Sequence, residues 1–176
     1  MPIPERIPAD RLIDAIRGAG VEFVVAVPDT HQRTLIEAIE VDAGIQVVRA
    51  ATEDEGVAIC AGLIVAGRRP LLQIQHAGLY ACVNNLRGIG LDGAFPIVML
   101  VGLLGRDPAR APRENFGSMV RLAEPLLDAL TIPYHLLETT ADLPQLVQAY
   151  GEADVHGGPV AVLLGEESGP PQGVLA

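Results

Sequence analysis

The 176-residue sequence contains no lysine, and all twelve of its basic residues are arginine. Its longest basic run is the pair Arg68 and Arg69, and 22 acidic residues give a formal net charge of −10. A protein that follows a nucleic-acid backbone needs clustered positive charge, so we expect no nucleic-acid partner. The lack of lysine also excludes the phosphate-binding loop motif G-x-x-x-x-G-K.

Cysteines are few, and no apolar run is long enough to cross a membrane. Cys60 and Cys82 both lie in apolar segments, which indicates buried free thiols in a reducing cytosol rather than a disulfide or a metal site. The longest apolar run, 95–104, is too short for a bilayer, and the N-terminal residues 1–11 lack the apolar core of a signal peptide. We therefore expect a soluble, cytoplasmic protein.

Several familiar catalytic patterns are also missing. No serine lies in a nucleophile elbow, and the four histidines have no metal-ligand spacing, so we predict no metal ligands in this chain. A formal G-x-G-x-x-G occurs at Gly88, Gly90 and Gly93. It follows a helix-like segment and precedes a strand, which is the reverse of the dinucleotide-binding context.

The sequence is rich in apolar residues. They make up 49% of the chain, against 19% charged residues, which is a high proportion for a domain that stands alone. The length fits one domain. We therefore expect part of the apolar surface to meet a partner.

Short apolar runs alternate with segments of helical periodicity. Runs without polar alternation are typical of strands buried on both faces, and their alternation with helices predicts a doubly wound α/β fold: a parallel sheet of about six strands with helices on both faces. A single domain is expected over 1–165, followed by an extended or disordered tail over 166–176 that could also lie on a partner. The predicted strands are 23–27, 45–48, 70–74, 95–101, 132–137 and 159–164, and the predicted helices are 8–19, 32–40, 53–67, 79–89, 118–130 and 141–152.

Ligands of open α/β sheets bind beyond the carboxyl ends of the strands. Four predicted loops meet that edge of the sheet: 28–31, 51–55, 75–78 and 102–117. The last is long for its position, which indicates either a lid or a disordered insert.

Three acids, Glu53, Asp54 and Glu55, open the third predicted helix. Acids in a first turn complement the helix dipole, and Thr52 with Glu55 has the spacing of a capping box. The rest of this helix is apolar on nearly every face, which predicts burial all round. An acid at its first position would be partly desolvated and could share a proton with a basic ring nitrogen.

Three segments resemble the pyrimidine-binding (PYR) domain of thiamine diphosphate enzymes, as in the α subunit of sulfopyruvate decarboxylase and the N-terminal half of phosphonopyruvate decarboxylase. Residues 20–30 resemble the first strand and its V-P-D-[ST] loop. Residues 52–67 resemble the glutamate helix, with Glu53 nine residues before Gly62. Residues 74–86 resemble the loop and helix M-Q-x-S-G-L-x-N-x-x-N, matched at Gln75, Gly78, Leu79 and Asn84.

The resemblance implies that Glu53 is the catalytic carboxyl that hydrogen-bonds the cofactor's aminopyrimidine ring. It further implies a decarboxylase that releases CO2 and an aldehyde from a 2-oxo acid, with the cofactor as electron acceptor. The domain that holds diphosphate and Mg²⁺ in such enzymes has no counterpart in this sequence. The resemblance therefore implies a separate β subunit with that domain, called the PP domain, and a hetero-oligomer of αβ pairs. The cofactor-binding residues implied for this chain are Glu53, Pro28, Thr30, Gln75, Gly78 and Asn84.

The sequence departs from the family pattern at three positions. His76 replaces a polar Asn or Ser, Ala77 replaces a serine, and Leu104 occupies the position of an arginine. A sulfonate or phosphonate side group would need that arginine. Either Arg106 or Arg113 supplies the missing charge, or the substrate is a less charged 2-oxo acid.

Two histidines, His31 and His76, lie in the predicted edge loops. Each is either a polar loop residue facing water or a functional group, as a proton donor or a ligand of the substrate carboxylate. Asn84 is expected to orient the 75–78 loop rather than touch substrate.

Three functions remain open at this level. The first is the decarboxylase subunit. The second uses the same cofactor for carbon–carbon bond formation and shares the early steps with the first. The third is a non-catalytic α/β module that binds a partner or a nucleotide through the same edge of the sheet.

Overall fold

A computed structural model of the chain describes residues 6–42 and 44–172. Six strands form one sheet in the order β2-β1-β3-β4-β6-β5, and every neighbouring pair is parallel. The predicted doubly wound parallel sheet is thereby confirmed. The strands are β1 (Phe23–Ala26), β2 (Gln46–Arg49), β3 (Pro70–Gln75), β4 (Val98–Gly102), β5 (Tyr134–Leu137) and β6 (Val160–Leu164).

Helices cover both faces of the sheet. They are α1 (Ala9–Gly18), α2 (Arg33–Glu40), α3 (Glu53–Val65), α4 (His76–Ala81), α5 (Val83–Asn85), α6 (Ser118–Arg121), α7 (Ala123–Ala129) and α8 (Pro144–His156). One core cluster combines α1, α2 and α8 with one face of the sheet. The other combines α3, α4, α6 and α7 with the opposite face.

The central strands are hydrophobic because both of their faces are covered. All residues of β4 and β6 are buried, whereas the edge strand β2 has no buried residue. Burial on two sides removes the need for polar alternation, which is why the apolar runs predicted these strands.

The strand order reverses between β1 and β3. From β1 the chain passes to β2 on one side, and α3 then carries it back across β1 to β3 on the other. In open parallel sheets a crevice forms at such a reversal, outside the carboxyl ends of the strands. The loops after β1 and β3 and the start of α3 all meet there.

Several boundaries differ from the predicted ones. The helix predicted over 79–89 begins already at His76, directly after β3, and ends in a π-helical turn, Leu86–Asp92. The strand predicted from 95 begins at Val98, because Pro96 has no amide hydrogen to donate to a sheet ladder.

The expectation that α3 is buried on every side is wrong for this chain. Its inner face, with Val57, Cys60 and Ala61, is buried against the sheet, but Ala58 and Gly62 are exposed. Val65 is 76% exposed. The sheet can cover only one side of a helix, so the uniform apolar pattern leaves an open apolar face.

The predicted capping box at Thr52 is also wrong. The Thr52 side chain makes no capping hydrogen bond, and the Glu55 carboxylate instead accepts from the Ala51 amide at 2.7 Å. Glu55 still accepts from a backbone amide. That amide belongs to Ala51, whereas a capping box would use the amide of the next residue, Thr52.

The chain after β6 returns to α1. Gly169 donates its amide to Ile7 O at 2.8 Å, and its carbonyl accepts from the Ala9 amide at 3.0 Å. Ser168 is buried against Thr34. The described part of the predicted tail is thus extended and lies on its own domain, and residues 173–176 are outside the described part.

The long loop 103–117 has a defined structure, which contradicts the disordered-insert alternative. Its buried Asn115 accepts from the Asp107 amide at 2.7 Å and donates to Ala111 O at 3.0 Å. A 3₁₀ turn, Pro112–Glu114, precedes Asn115.

Both cysteines are free and buried, as predicted. Burial raises the pKa of Cys60 and of Cys82 to about 12, so neither is a thiolate at neutral pH. Within the described ranges, the helices are all too short or too polar to cross a bilayer.

Candidate active site

Glu53 and Gly78 lie in contact at the carboxyl edge of the sheet. Glu53 is the first residue of α3, and Gly78 lies in α4 directly after β3. A Cβ atom at position 78 would fall 2.3 Å from Glu53 Cγ and 2.6 Å from Oε1. Only glycine at position 78 leaves room for the Glu53 side chain to lie against α4. The structure therefore brings together two of the predicted site residues, and the contact explains why one is glycine.

A neighbouring asparagine links the start of α3 to the next helix. Asn85 donates its side-chain amide to Asp54 O at 2.8 Å. The predicted residue Asn84 is exposed and accepts from Arg87 at 3.2 Å on its own helical segment. The expectation that Asn84 orients the 75–78 loop is wrong, because successive helical residues point about 100° apart and Asn85 is the one turned toward α3.

His76 and His31 are both buried rather than turned toward water. His76 is 3% exposed, and its Nε2 lies 3.0 Å from Leu104 O. His31 is 2% exposed, and its Nε2 lies 3.1 Å from Leu164 O. The alternative of solvent-facing loop histidines is wrong, since both rings pack against the ends of other strands.

These hydrogen bonds assign the tautomers. A carbonyl oxygen can only accept, so Nε2 of each ring carries the hydrogen and Nδ1 keeps a lone pair. Neither Nδ1 has a hydrogen-bond partner among the described residues. Burial lowers the pKa of both His31 and His76 below the ordinary 6.5. At neutral pH each ring thus offers a hydrogen-bond acceptor and not an acidic proton.

The loop after β1 holds His31 through two residues that sequence reasoning missed. Asp29 accepts from the Gln32 amide at 2.9 Å. The buried Gln32 side chain donates to Ile74 O at 2.7 Å and approaches Leu100 O at 3.4 Å. Gln32 therefore fastens the loop to β3 and β4, and no local sequence signal identifies such a long-range contact.

A glycine also makes room for His31. A Cβ atom at Gly102, the last residue of β4, would fall 2.6 Å from His31 Cδ2. The imidazole thus lies across the end of β4, between the Glu53 region and β6.

The remaining predicted cofactor-binding residues line the edge. Pro28 and Thr30 are exposed in the loop after β1, and Gln75, the last residue of β3, is half-buried. Gln75 pairs with Gly102 in the sheet, so it shares this edge with His31.

Of the two candidate arginines, Arg113 is already bound to three other side chains. It binds Glu124 at 2.7 Å, Asp128 at 2.6 Å and the Tyr134 hydroxyl at 2.5 Å. Arg106 is the arginine at the candidate site, with a side chain only 4% exposed and paired with Glu138.

Metal ligands are not grouped in the described part of the chain. Residues 6–42 and 44–172 contain no cluster of three or more His, Cys, Asp or Glu side chains that could hold a metal ion.

No protein-family model matches the chain. Two relatives are sulfopyruvate decarboxylase subunits alpha. That of Methanothermobacter thermautotrophicus is 29% identical over 154 residues, covering 85% of this chain and 90% of that protein. That of Methanococcus maripaludis is 27% identical over 161 residues, covering 89% and 93%. The resemblance predicted from the three sequence segments is confirmed.

A third relative is longer than this chain. Sulfopyruvate decarboxylase of Methanosarcina acetivorans is 24% identical over 160 residues, and the match covers 89% of this chain but only 40% of that protein. The aligned region is thus a minor part of a larger polypeptide in that relative.

Solved structures share the fold. Benzoylformate decarboxylase from Polynucleobacter necessarius superposes with a TM-score of 0.73 at 20% identity, covering 98% of this chain and 33% of that one. The thiamine diphosphate-dependent 4-hydroxybenzoylformate decarboxylase of Rhodococcus jostii RHA1 gives 0.72 at 19% identity, covering 93% and 32%. The chain spans about a third of the length of these enzymes and has the fold of their PYR-type domain.

Proposed function

We propose that this chain is the α subunit of a thiamine diphosphate-dependent 2-oxo acid decarboxylase and supplies the half of the site that receives the aminopyrimidine ring. The similarity to sulfopyruvate decarboxylase subunits alpha over most of the chain supports this assignment. The observation that carries it is the Glu53 carboxyl, fixed against Gly78 at the edge of the sheet where the strand order reverses.

The geometry around Glu53 fits an aminopyrimidine. A carboxyl at the first position of a helix with one buried side can hydrogen-bond a ring nitrogen. Gly78 has no side chain, so it does not crowd the Glu53 carboxyl. Asn85 holds the start of α3 through Asp54 O, so the carboxyl is positioned by contacts on two helices. In this proposal Glu53 holds the proton exchanged with the ring.

The two histidines fit a supporting role. Their unpartnered Nδ1 atoms accept hydrogen bonds, and burial keeps both rings neutral at neutral pH. We assign them to orienting a donor group of the substrate or a protonated intermediate, and not to donating a proton at neutral pH. This revises the proton-donor role considered from the sequence.

We assign the diphosphate and Mg²⁺ to a second chain. The relatives are named subunits alpha, and this chain spans about a third of the length of the solved decarboxylases. The exposed apolar face of α3, with Ala58, Gly62 and Val65, begins beside Glu53 and fits a partner surface. We therefore assign the PP domain to a β subunit docked over this face.

Thiamine diphosphate, when bound, supplies the electron-accepting thiazolium ring that allows CO2 to leave. This chain then contributes the Glu53 proton relay, the acceptors at His31 and His76, and exclusion of water by the apolar partner face.

The first test compares Glu53 and Glu55, two acids in the first turn of α3, in the purified complex. Glu53→Gln should lower kcat for 2-oxo acid decarboxylation by at least about a hundredfold, because an amide cannot relay the proton. Glu55→Gln, two residues further along the same turn and bonded to the Ala51 amide, should change kcat by less than about threefold. Near-normal turnover in Glu53→Gln would overturn the proposal.

The second test asks for the partner directly. Native mass spectrometry of the chain purified from its own host should reveal a stoichiometric second protein and the added mass of thiamine diphosphate with Mg²⁺. A chain that stays alone and binds no cofactor would instead favour a non-catalytic module.

A further inference from the structure

A polar pocket lies beside His31, at the carboxyl ends of β4 and β6. Its volume is about 170 Å³, and its polar lining consists of Arg6, His31, Arg106, Glu166 and Glu167. That volume suits a group of a few non-hydrogen atoms. Nothing in the proposed proton relay uses this pocket.

Three buried polar atoms of the lining have no hydrogen-bond partner among the described residues. They are His31 Nδ1, Arg106 Nε and Glu166 Oε1. The His31 residue is 2% exposed and the Arg106 side chain 4% exposed. Buried polar groups are normally satisfied, so three such atoms in one small pocket mark it as a place for a polar ligand.

The charges of the pocket disfavour an anion. Arg6 already pairs with Glu167 at 3.0 Å, and Arg106 already pairs with Glu138. Glu166 is left as a third carboxylate beside two neutralised guanidinium groups, which gives the group a net charge of about −1 when all are ionised. A sulfonate or phosphonate placed here would meet that charge, and Arg106 Nε is the one buried donor of the lining that has no partner among the described residues.

The unpartnered atoms favour a donor instead. Glu166 Oε1 and His31 Nδ1 both accept hydrogen bonds, since Nε2 of His31 already donates to Leu164 O. A hydroxyl fits this set, because it donates to Glu166 or His31 and accepts from Arg106 Nε. An ammonium group would donate to the two acceptors but could not accept from Arg106 Nε.

The pocket continues the candidate active site along the edge of the sheet. His31 lines the pocket and lies across Gly102. The segment after β4 contributes Leu103, Gly105 and Arg106 to the pocket and Leu104 O to His76. A substrate held near Glu53 and His76 would therefore extend past His31 into this pocket.

We propose that this pocket binds the far end of the substrate, and that this end carries a hydrogen-bond donor such as a hydroxyl rather than a sulfonate. The inference rests on the proposed decarboxylase function and names the substrate class of the same site. It distinguishes this chain from its sulfopyruvate decarboxylase relatives, in agreement with Leu104 at the position where those enzymes are expected to have arginine.

The test measures kcat/KM of the purified complex for three compounds: 4-hydroxy-2-oxobutanoate, 2-oxobutanoate and sulfopyruvate. The first should exceed the second by at least about tenfold, and sulfopyruvate should be the poorest, because a site built for a hydroxyl penalises compounds that leave its groups unpaired. A complex that prefers sulfopyruvate would overturn the inference.

Glu166→Gln makes the test specific to the pocket. The variant keeps an acceptor but removes the charge. The ratio of kcat/KM for 4-hydroxy-2-oxobutanoate to that for 2-oxobutanoate should therefore fall about fivefold, and the ratio for sulfopyruvate to 2-oxobutanoate should rise about fivefold. A merely structural effect would change all three in the same direction, and that result would contradict the inference. Glu37→Gln removes the same charge from an exposed position on α2 and should leave the ratios unchanged.

Calorimetry separates failure of the pocket from failure of the proposed function. If the complex decarboxylates none of the three compounds, the proposed function fails, but binding to the cofactor-free complex still tests the pocket. Tighter binding of 4-hydroxy-2-oxobutanoate than of sulfopyruvate, reversed or levelled by Glu166→Gln, would support it. Equal binding of the two compounds would overturn it.

Discussion

Among single residues, Gly78 makes the most demanding contact with the proposed catalytic group. A methyl group there would lie 2.3 Å from Glu53 Cγ, so Gly78→Ala should displace the carboxyl and lower kcat by about a hundredfold. The melting temperature should change little, because alanine in a helix offsets part of the clash. Gly151→Ala in α8, where a Cβ meets nothing within 4 Å, is the matched control and should retain full activity.

The two buried histidines predict a pH dependence of stability. Burial lowers the pKa of His31 and His76 below 6.5, so below pH 6.5 the unfolded chain binds protons that the folded chain does not. The free energy of unfolding should therefore be fully retained above pH 6.5 and fall as the pH drops from there toward the folded-state pKa values.

Thermal melts from pH 7.5 to 5 would check this dependence. His31→Gln and His76→Gln should each flatten the decline between pH 6.5 and 5. His156→Gln, at an exposed position of α8, should not. A decline of unchanged slope in all three variants would show that other groups are responsible.

The sequence predicted that Glu53, Gly78 and the two histidines lie at the carboxyl edge of the sheet, but not how the histidines are held. Their partners, Leu104 O and Leu164 O, are 28 and 133 residues away in the chain. They are also backbone atoms, which any residue type would provide. Gln32 was missed for the same reason, because its contacts run to carbonyls of β3 and β4.

At the scale of elements, the side chain of Asn115 ties together separate parts of the loop 103–117. Asn115 bonds to Asp107 and Ala111 from a buried position. Asn115→Ala should cost about 1–3 kcal/mol of folding free energy, since two part-buried hydrogen bonds are lost. Chemical denaturation measures the loss, and faster hydrogen exchange of the Asp107 amide would localise it. Asn84→Ala, which removes one exposed contact with Arg87, should cost less than about 0.5 kcal/mol.

The four inner strands β1, β3, β4 and β6 were predictable because burial on both faces leaves an unbroken apolar run. Helix α3 shows the limit of that reasoning. Its apolar pattern predicted burial all round, but in this chain the outer side of the helix is exposed. The start of α4 was missed because Gln75 ends β3 and also precedes the helix directly, without a separate loop.

At the scale of the whole molecule, a charge introduced on one face of the sheet should affect partner association differently from a charge introduced on the other face. Val65 on α3 is 76% exposed and Val155 on α8 is 91% exposed, and these helices lie on opposite faces. Val65→Glu should weaken association with the proposed β subunit at least tenfold, because a charge would be buried in an apolar interface. Val155→Glu should leave it unchanged.

Sedimentation velocity of the two variants with the partner would measure this difference, with circular dichroism as a check on folding. Equal association of both variants would place the interface away from α3. The apolar composition of the sequence predicted an interface, and we place it on the exposed side of α3 because that face begins beside Glu53.

The hydrogen bonds of Gly169 with Ile7 and Ala9 place the first and last described segments side by side. Joining them with a short flexible linker would close the polypeptide into a ring with little distortion. The ring could then be reopened at the turn after α3, where Gly67 has a φ of 73° and is exposed. Such a circular permutant would carry its new ends on the face opposite to the carboxyl edge, which leaves the proposed site clear for fusion of reporters or of a partner chain.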